Sequence, residues 1–236
     1  MKNIRFVLKV IISAALLSSV DVEATFSADF DPACRAMHFD EDLLDFTLIM
    51  DLEGGEVRLR YPAVYADNPK FAAHPRKDTA ELFRPVGTDD FEPLPYGEAS
   101  RRNRAGIWNW MYILVNDVLP LEEIAKIALG VRINDRDKPL ELDRSAPAPY
   151  GLRELAKIRD YPDRDVFMEL GPDRKVLTVI SCSEDEPPSV PFPGCSIYFR
   201  ASDMDVKLTF RRTELYRWQE LTSKVETFLA CATTEF

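Results

Sequence analysis

The stretch that decides the fold is C-terminal, from Cys195 to Phe236. It contains Cys195-Ser-Ile-Tyr-Phe-Arg200 and Val206-Lys-Leu-Thr-Phe-Arg211, separated by Ser202-Asp-Met-Asp205. Apolar and polar residues alternate in both runs, which indicates two half-buried strands joined by a polar turn. Beyond Thr213, an expected N-cap, apolar positions recur every three or four residues: Leu215, Trp218, Leu221, Thr222, Val225, Phe228 and Leu229. This spacing predicts an amphipathic helix that packs on the sheet begun by the hairpin.

Working outward, the same alternation predicts two more hairpins. One joins residues 45–52 to 57–61 across Gly54-Gly55, and the other joins residues 166–170 to 175–182. An apolar strand is predicted over residues 107–115. Short helices are predicted at residues 121–129 and at residues 152–158. The predicted fold class is therefore α+β: antiparallel β-hairpins forming a sheet, packed by a long C-terminal amphipathic helix.

The first 24 residues have the pattern of a signal peptide. Lys2, Arg5 and Lys9 precede an apolar run that ends near Val20, and Val22-Glu-Ala24 has the small residues that signal peptidase accepts. An uncleaved anchor is disfavoured, because about eleven apolar residues are too few for a bilayer that needs roughly twenty. We therefore expect cleavage after Ala24 and a periplasmic protein in a bacterium. Residues 25–236 are expected to form a single α+β domain, although two similar halves, about 40–145 and 150–236, are an open alternative.

The four cysteines lie in the expected mature part. An even number in an exported chain favours disulfides over metal ligation or catalysis. Cys182 ends one predicted strand and Cys195 begins the next, whereas Cys34 and Cys231 lie near the two ends of the mature chain. The favoured pairing is Cys182–Cys195 with Cys34–Cys231, and the sequence leaves the other two pairings open.

The charge of the chain bears on its partners. Without residues 1–24, 27 basic and 38 acidic residues remain, a net charge of about −11. Such a protein repels nucleic acid and anionic lipid, so we expect neither nucleic-acid binding nor membrane insertion after signal cleavage. A protein with a basic surface is the expected partner.

The sequence contains no recognisable catalytic motif. His38 and His74 have no partner at metal spacing, and neither G-x-S-x-G nor a phosphate-binding glycine loop occurs. Aspartate pairs such as Asp203-Met-Asp205 suit a turn better than a cation site. We therefore predict no catalytic residue, no metal and no cofactor, and the chain is read as a non-enzyme. The alternative is a periplasmic hydrolase whose carboxylates cannot be picked out from sequence.

Two segments are candidates for contact with a partner. Glu184, Asp185 and Glu186 form an acidic run in the proline-rich segment between Cys182 and Cys195, and we expect this run to form part of a protein-binding surface. A solubilising role without a partner is the alternative. Residues 62–105 are rich in proline and irregular, and so long a connection usually has a function or is partly disordered.

Two short motifs are similar to known proteins. Arg58-Leu-Arg-Tyr-Pro-Ala-Val-Tyr65 leads from a strand into Pro-x-x-Tyr, and Leu215-x-x-Trp218 lies in the terminal helix. Together they resemble exported bacterial envelope proteins of the type VI secretion immunity-protein kind. The resemblance implies a protein that binds and neutralises a secreted toxin in the periplasm, and it implies no contact residues.

Overall fold

The chain folds into two sheets with a helix between them. The structure is a computed structural model that describes residues 31–50, 54–68, 75–117, 119–135, 137–142, 149–156, 164–183 and 194–234. Its strands are β1 (Leu43–Ile49), β2 (Glu56–Pro62), β3 (Arg76–Asp78), β4 (Ala80–Leu82), β5 (Val86–Gly87), β6 (Trp110–Asn116), β7 (Arg153–Glu154), β8 (Arg164–Leu170), β9 (Val176–Ser183), β10 (Gly194–Ala201) and β11 (Met204–Arg211). Its α-helices are α1 (Pro32–Arg35), α2 (Glu98–Arg104), α3 (Leu121–Ala128) and α4 (Trp218–Thr233). These elements confirm the α+β prediction.

The larger sheet is built around the C-terminal hairpin. Its strand order is β4-β6-β11-β10-β9-β8-β7, and β5 pairs with β6. β10 and β11 pair in antiparallel register across the two-residue turn Ser202-Asp203, whose φ angles are 49° and 62°. Asp203 therefore belongs to the turn, as predicted. Because β11 also pairs with β6, this sheet contains strands from both halves of the chain.

The main core lies between the larger sheet and a smaller one. The smaller sheet has the order β2-β1-β3, and its β1–β2 hairpin confirms the prediction for residues 45–61. α4 contacts both β2 and β10, so it lies between the sheets. The ring of Phe228 is central to this core, with ring centroids at 4.8–5.7 Å from those of four aromatic residues: Phe39, Tyr65, Phe83 and Phe91.

A second apolar layer covers the opposite face of the larger sheet. Ile124, Ala125 and Leu129, in and just after α3, pack with Val166 of β8 and Val179 of β9. This helix agrees with the prediction for residues 121–129. No helix among the described residues is both long enough and apolar enough to cross a membrane.

Two disulfides link the ends of elements. Cys182 and Cys195 face each other on β9 and β10, with their Cα atoms 4.0 Å apart. Cys34 of α1 is bonded to Cys231 of α4 across 197 residues, with a Cα–Cα distance of 5.6 Å. Of the three pairings that the sequence allows, the structure has the one that the positions of the cysteines favoured.

Two predictions about helices are wrong. The sequence places an N-cap at Thr213, but residues Arg212–Arg217 form a 3₁₀ helix and α4 begins at Trp218. The tighter segment ends where Arg217 bonds a distant loop, a tertiary contact that local spacing does not reveal. The segment predicted as a helix at residues 152–158 contains strand β7, because the backbone of β8 pairs with it. Its two buried leucines, Leu152 and Leu155, have a spacing that also suits one helical turn.

Candidate protein-binding site

The 85–96 loop runs from Pro85, just before β5, to Tyr96, and many hydrogen bonds hold it in place. Its backbone is closed by hydrogen bonds from Gly87 N to Glu92 O (2.9 Å) and from Leu94 N to Pro85 O (2.7 Å). β5 pairs with β6, which fixes the loop to the edge of the larger sheet. The part of the loop that pairs with β6 is its base, and residues 88–92 are called its tip.

The sequence of the tip suits its tight turn. Oδ1 of Asp90 accepts a hydrogen bond from the Glu92 backbone N at 3.1 Å, as aspartate commonly does in turns. A Cβ atom added at Gly87 would lie 2.1 Å from that same oxygen. Glycine at position 87 therefore allows the Asp90 side chain to close the turn.

Two cationic side chains hold the tip from one side: Arg217, which precedes α4, and Lys224 of α4. Arg217 donates to the carbonyl oxygen of Thr88 (2.9 Å) and to Oδ1 of Asp89 (2.5 Å). Lys224 donates to the carbonyl oxygens of the same two residues at 2.9 and 2.8 Å. Glu220 accepts from both cations at 2.7 Å, and these two hydrogen bonds lower the pKa of its carboxyl group. The tip backbone is thus fixed to the C-terminal helix.

An aromatic anchor holds the tip from beneath. Phe91 has a left-handed backbone (φ 61°), and its side chain is buried against Phe228. The hydroxyl of Tyr65 donates to the carbonyl oxygen of Phe91 at 3.3 Å. Non-glycine residues rarely adopt positive φ, because this backbone conformation costs energy that the surroundings must offset. Here the burial of the Phe91 ring offsets it.

His38 fixes the third side of the tip. Its Nε2 lies 2.9 Å from Oε2 of Glu92, and its Nδ1 lies 2.7 Å from Oε1 of Glu41. An ionised carboxylate can only accept, so both contacts are hydrogen bonds when the ring is in its imidazolium form. The hydrogen bonds to Glu92 and Glu41 raise the pKa of His38, although partial burial opposes them. With both nitrogens in contact with carboxylates, His38 links Glu41 to Glu92 of the tip.

A cavity of about 350 Å³ lies at the base of the loop. Its apolar wall is formed by Pro85, Leu94, Pro95, Tyr96 and Tyr112. Tyr96 is 85% exposed, the largest exposed fraction among the large apolar side chains of the described residues. Burial raises the pKa of Tyr112, and the nearby Asp67 adds to this shift. One rigid loop thus combines an acidic tip with an open aromatic pocket.

The acidic run Glu184–Glu186, predicted from the sequence as a contact, lies outside the described residues, as does the predicted signal peptide. The described chain reaches Ser183, whose carbonyl oxygen accepts a hydrogen bond from Arg212 at 2.8 Å. Arg212 also pairs with Asp165 at 2.5 Å. One end of the 3₁₀ helix, Arg212, thus bonds Ser183, and the other end, Arg217, bonds the 85–96 loop. The five residue steps between these two ends span about 10 Å.

Several aromatic and basic residues between α2 and β6 have structural roles. Trp108 lies 4.2 Å from the guanidinium of Arg211, and Trp110 packs edge-on against Tyr112. The basic run at residues 101–104 is part of α2, where Arg101 and Arg102 pair with Glu98. Among the described residues, no group of three or more His, Cys, Asp or Glu side chains could hold a metal ion.

One buried carboxylate bears on the hydrolase alternative. Glu81 is 3% exposed, and burial raises the pKa of its carboxyl group. Oε1 of Glu81 accepts from the Tyr61 hydroxyl (2.6 Å) and from Arg76 (3.1 Å). These partners come from β2 and β3, so the carboxylate links the smaller sheet to the larger one. Burial raises the pKa and outweighs these two contacts, which lower it, so the shift follows from the position of Glu81 between the sheets.

The residues that form the 85–96 site are mostly not apparent from sequence. Arg217, Glu220 and Lys224 have the spacing of ion pairs on one helix face, which predicts contacts within the helix only. The left-handed Phe91 has no sequence signal. The available hint is the proline-rich, irregular character of residues 62–105.

Comparison with known proteins shows a fold and no family. No family model matches the sequence, and no curated protein matches it. The fold is similar to that of an immunity protein of the Stenotrophomonas maltophilia type IV secretion system, with 17% identity, a TM-score of 0.54, and coverage of 80% of this chain and 99% of that one. A more distant likeness is to the Neisseria meningitidis iron-regulated outer membrane lipoprotein FrpD, at 13% identity, a TM-score of 0.45, and 84% and 95% coverage. The resemblance to secretion immunity proteins thus holds for the fold, with a type IV rather than a type VI system.

Proposed function

We propose that this protein is a non-enzymatic periplasmic binding protein that neutralises a secreted toxin by holding it at the 85–96 loop. The observation that carries the proposal is the fixation of the acidic tip by Arg217, Lys224 and His38. The shared fold with a secretion-system immunity protein supports the same role. Two disulfides suit an exported protein.

A loop held in one conformation favours binding. Ordering a flexible loop on association costs free energy, and this cost is absent where the loop is already fixed. The tip is bonded to the rest of the protein on three sides, and Pro85, Pro93 and Pro95 restrict its base. The exposed Tyr96 adds a residue type that is enriched among the energetic centres of interfaces.

The charge of the loop selects a basic partner. Asp90 and Glu92 are exposed at the tip, and the whole chain has a formal net charge of −10. Complementary charge raises the association rate and selects among partners more than it raises affinity. We propose that Glu184, Asp185 and Glu186 extend this acidic surface, since Ser183 and the loop tip border the two ends of one 3₁₀ helix.

Capture from the bacterial envelope fraction tests the proposal. The immobilised mature protein is expected to retain a basic protein at low salt. The charge-reversed variant Asp90→Lys/Glu92→Lys is expected to lose it. The matched control Asp203→Lys/Glu141→Lys changes the net charge equally at exposed positions outside the loop, and it should retain the partner. Equal capture by both variants, with unchanged unfolding midpoints, would remove the loop from the interface.

A further inference from the structure

We infer that the pocket beneath the 85–96 loop receives a carboxylate-bearing anchor of the protein partner, next to an apolar side chain. This inference rests on the proposed protein-binding function and assigns the local chemistry of the contact. The pocket lies between Tyr96 and Tyr112, with Arg84 and Asp67 as its charged lining residues.

Arg84 supplies the recognition chemistry. Its side chain is half-buried, and its Nε is buried without a hydrogen-bond partner in the described part of the chain. Because the Nε atom is shielded from solvent, an acceptor in the pocket reaches the guanidinium through its Nη groups. The two Nη groups of a guanidinium can donate to both oxygens of a carboxylate, which makes a carboxylate the best-fitting ligand group.

The size of the pocket limits how much of a protein partner can enter it. A volume of about 350 Å³ is near the lower end of ligand-binding cavities and suits one large side chain with its neighbour. Four of its apolar lining residues, Pro85, Leu94, Pro95 and Tyr96, belong to the fixed loop. The formal net charge of −10 disfavours a phosphate polymer or an anionic membrane as the source of the anion.

Asp67 makes the inference sharply testable. It is exposed and lines the same pocket, so it repels an entering carboxylate. Removing its charge should therefore strengthen the binding of an acidic anchor. A cationic or purely donating anchor would respond in the opposite way, because it would lose an attractive carboxylate.

The experiment uses three capped dipeptides as probes on the ¹⁵N-labelled mature protein: acetyl-Phe-Glu-amide, acetyl-Phe-Gln-amide and acetyl-Phe-Lys-amide. The Glu peptide is expected to shift the amide signals of Arg84, Tyr96 and Tyr112, and to bind about threefold or more tightly than the Gln peptide. Arg84→Gln should abolish that preference, and Asp67→Asn should raise the affinity for the Glu peptide about twofold or more. Arg104→Gln, an exposed arginine of α2 that does not line the pocket, is the matched control.

Equal binding of the Glu and Gln peptides would overturn the inference, and so would a preference for the Lys peptide. Weaker binding after Asp67→Asn would overturn it as well. Tyr96→Ser keeps the test independent of folding, because the side chain at this position is 85% exposed. It should weaken binding of the Glu peptide without changing the unfolding midpoint. Because the peptides need no natural partner, failure here is distinct from failure of envelope capture, which tests the loop tip.

Discussion

Arg217 and Asp89 form an ion pair at 2.5 Å although 128 residues separate them in the chain. The pair joins the start of the C-terminal helix to the tip of the 85–96 loop. Hydrogen bonds to Asp89 and Glu220 raise the pKa of Arg217, outweighing the opposing effect of burial. The helix that closes the main core therefore also positions the acidic surface.

Arg217→Met should free the tip and lower the free energy of unfolding by about 1.5–3 kcal/mol, the usual range for hydrogen bonds to a charged group. Its side chain is 15% exposed, so solvent screens the contacts only partly. Arg200→Met is the control, since Arg200 is 44% exposed and pairs with Asp205 at 3.5 Å. Urea unfolding of both variants is the measurement. Equal destabilisation would show that the long-range pair adds nothing.

Gly87→Ala should destabilise the protein by about 1 kcal/mol or more, because the new Cβ displaces the Asp90 carboxylate from its turn. Asp90→Ala removes the obstructing oxygen. In that background the cost of Gly87→Ala should fall, giving a measurable coupling between the two sites. Additive costs in the double-mutant cycle would mean that the contact between residues 87 and 90 does not constrain the loop.

The pKa of His38 is raised in the folded state, so its stabilising contribution is present below its ordinary pKa, near 6.5. This contribution is lost as the pH rises through the higher folded-state value. The unfolding midpoint should therefore fall in the wild type as the pH rises above about 6.5, and it should fall less in His38→Asn. Asparagine tolerates the left-handed backbone at this position, where φ is 63°. Parallel pH profiles would contradict the proposed contacts of His38 with Glu41 and Glu92.

The two disulfides should differ in their contributions because they close loops of different length. In the chain-entropy model, the Cys182–Cys195 bond, with a separation of 13 residues, stabilises by about 3 kcal/mol. The Cys34–Cys231 bond, with a separation of 197, gives about 5 kcal/mol. Paired Cys→Ala variants compared by denaturant unfolding without reductant provide the test. A larger loss from the shorter loop would contradict the entropic account.

The sequence predicts the fold where local pattern and tertiary role agree. Alternation in residues 195–211 predicts the hairpin, because burial of one sheet face imposes a period of two. The start of α4 was not predictable, since Trp218 donates its indole N–H to the carbonyl oxygen of Tyr150, a contact 68 residues away. The candidate site is harder still. Gly87 and Phe91 look unremarkable in sequence, and their roles depend on Asp90 and Phe228.

The central claim is that the acidic tip of the 85–96 loop contacts a basic partner. Asp90→Asn tests it most directly, because asparagine keeps the oxygen that accepts from Glu92 N and removes only the charge. Asp203→Asn makes the same chemical change in the exposed β10–β11 turn and serves as the control.

The decisive measurement is the association rate of the captured partner with these proteins between about 50 and 300 mM salt, a range that spans the useful screening lengths. We predict that Asp90→Asn slows association about two- to fivefold at the lowest salt, that the difference shrinks as salt rises, and that Asp203→Asn matches the wild type. Equal rates for Asp90→Asn and Asp203→Asn at every salt concentration would contradict the claim.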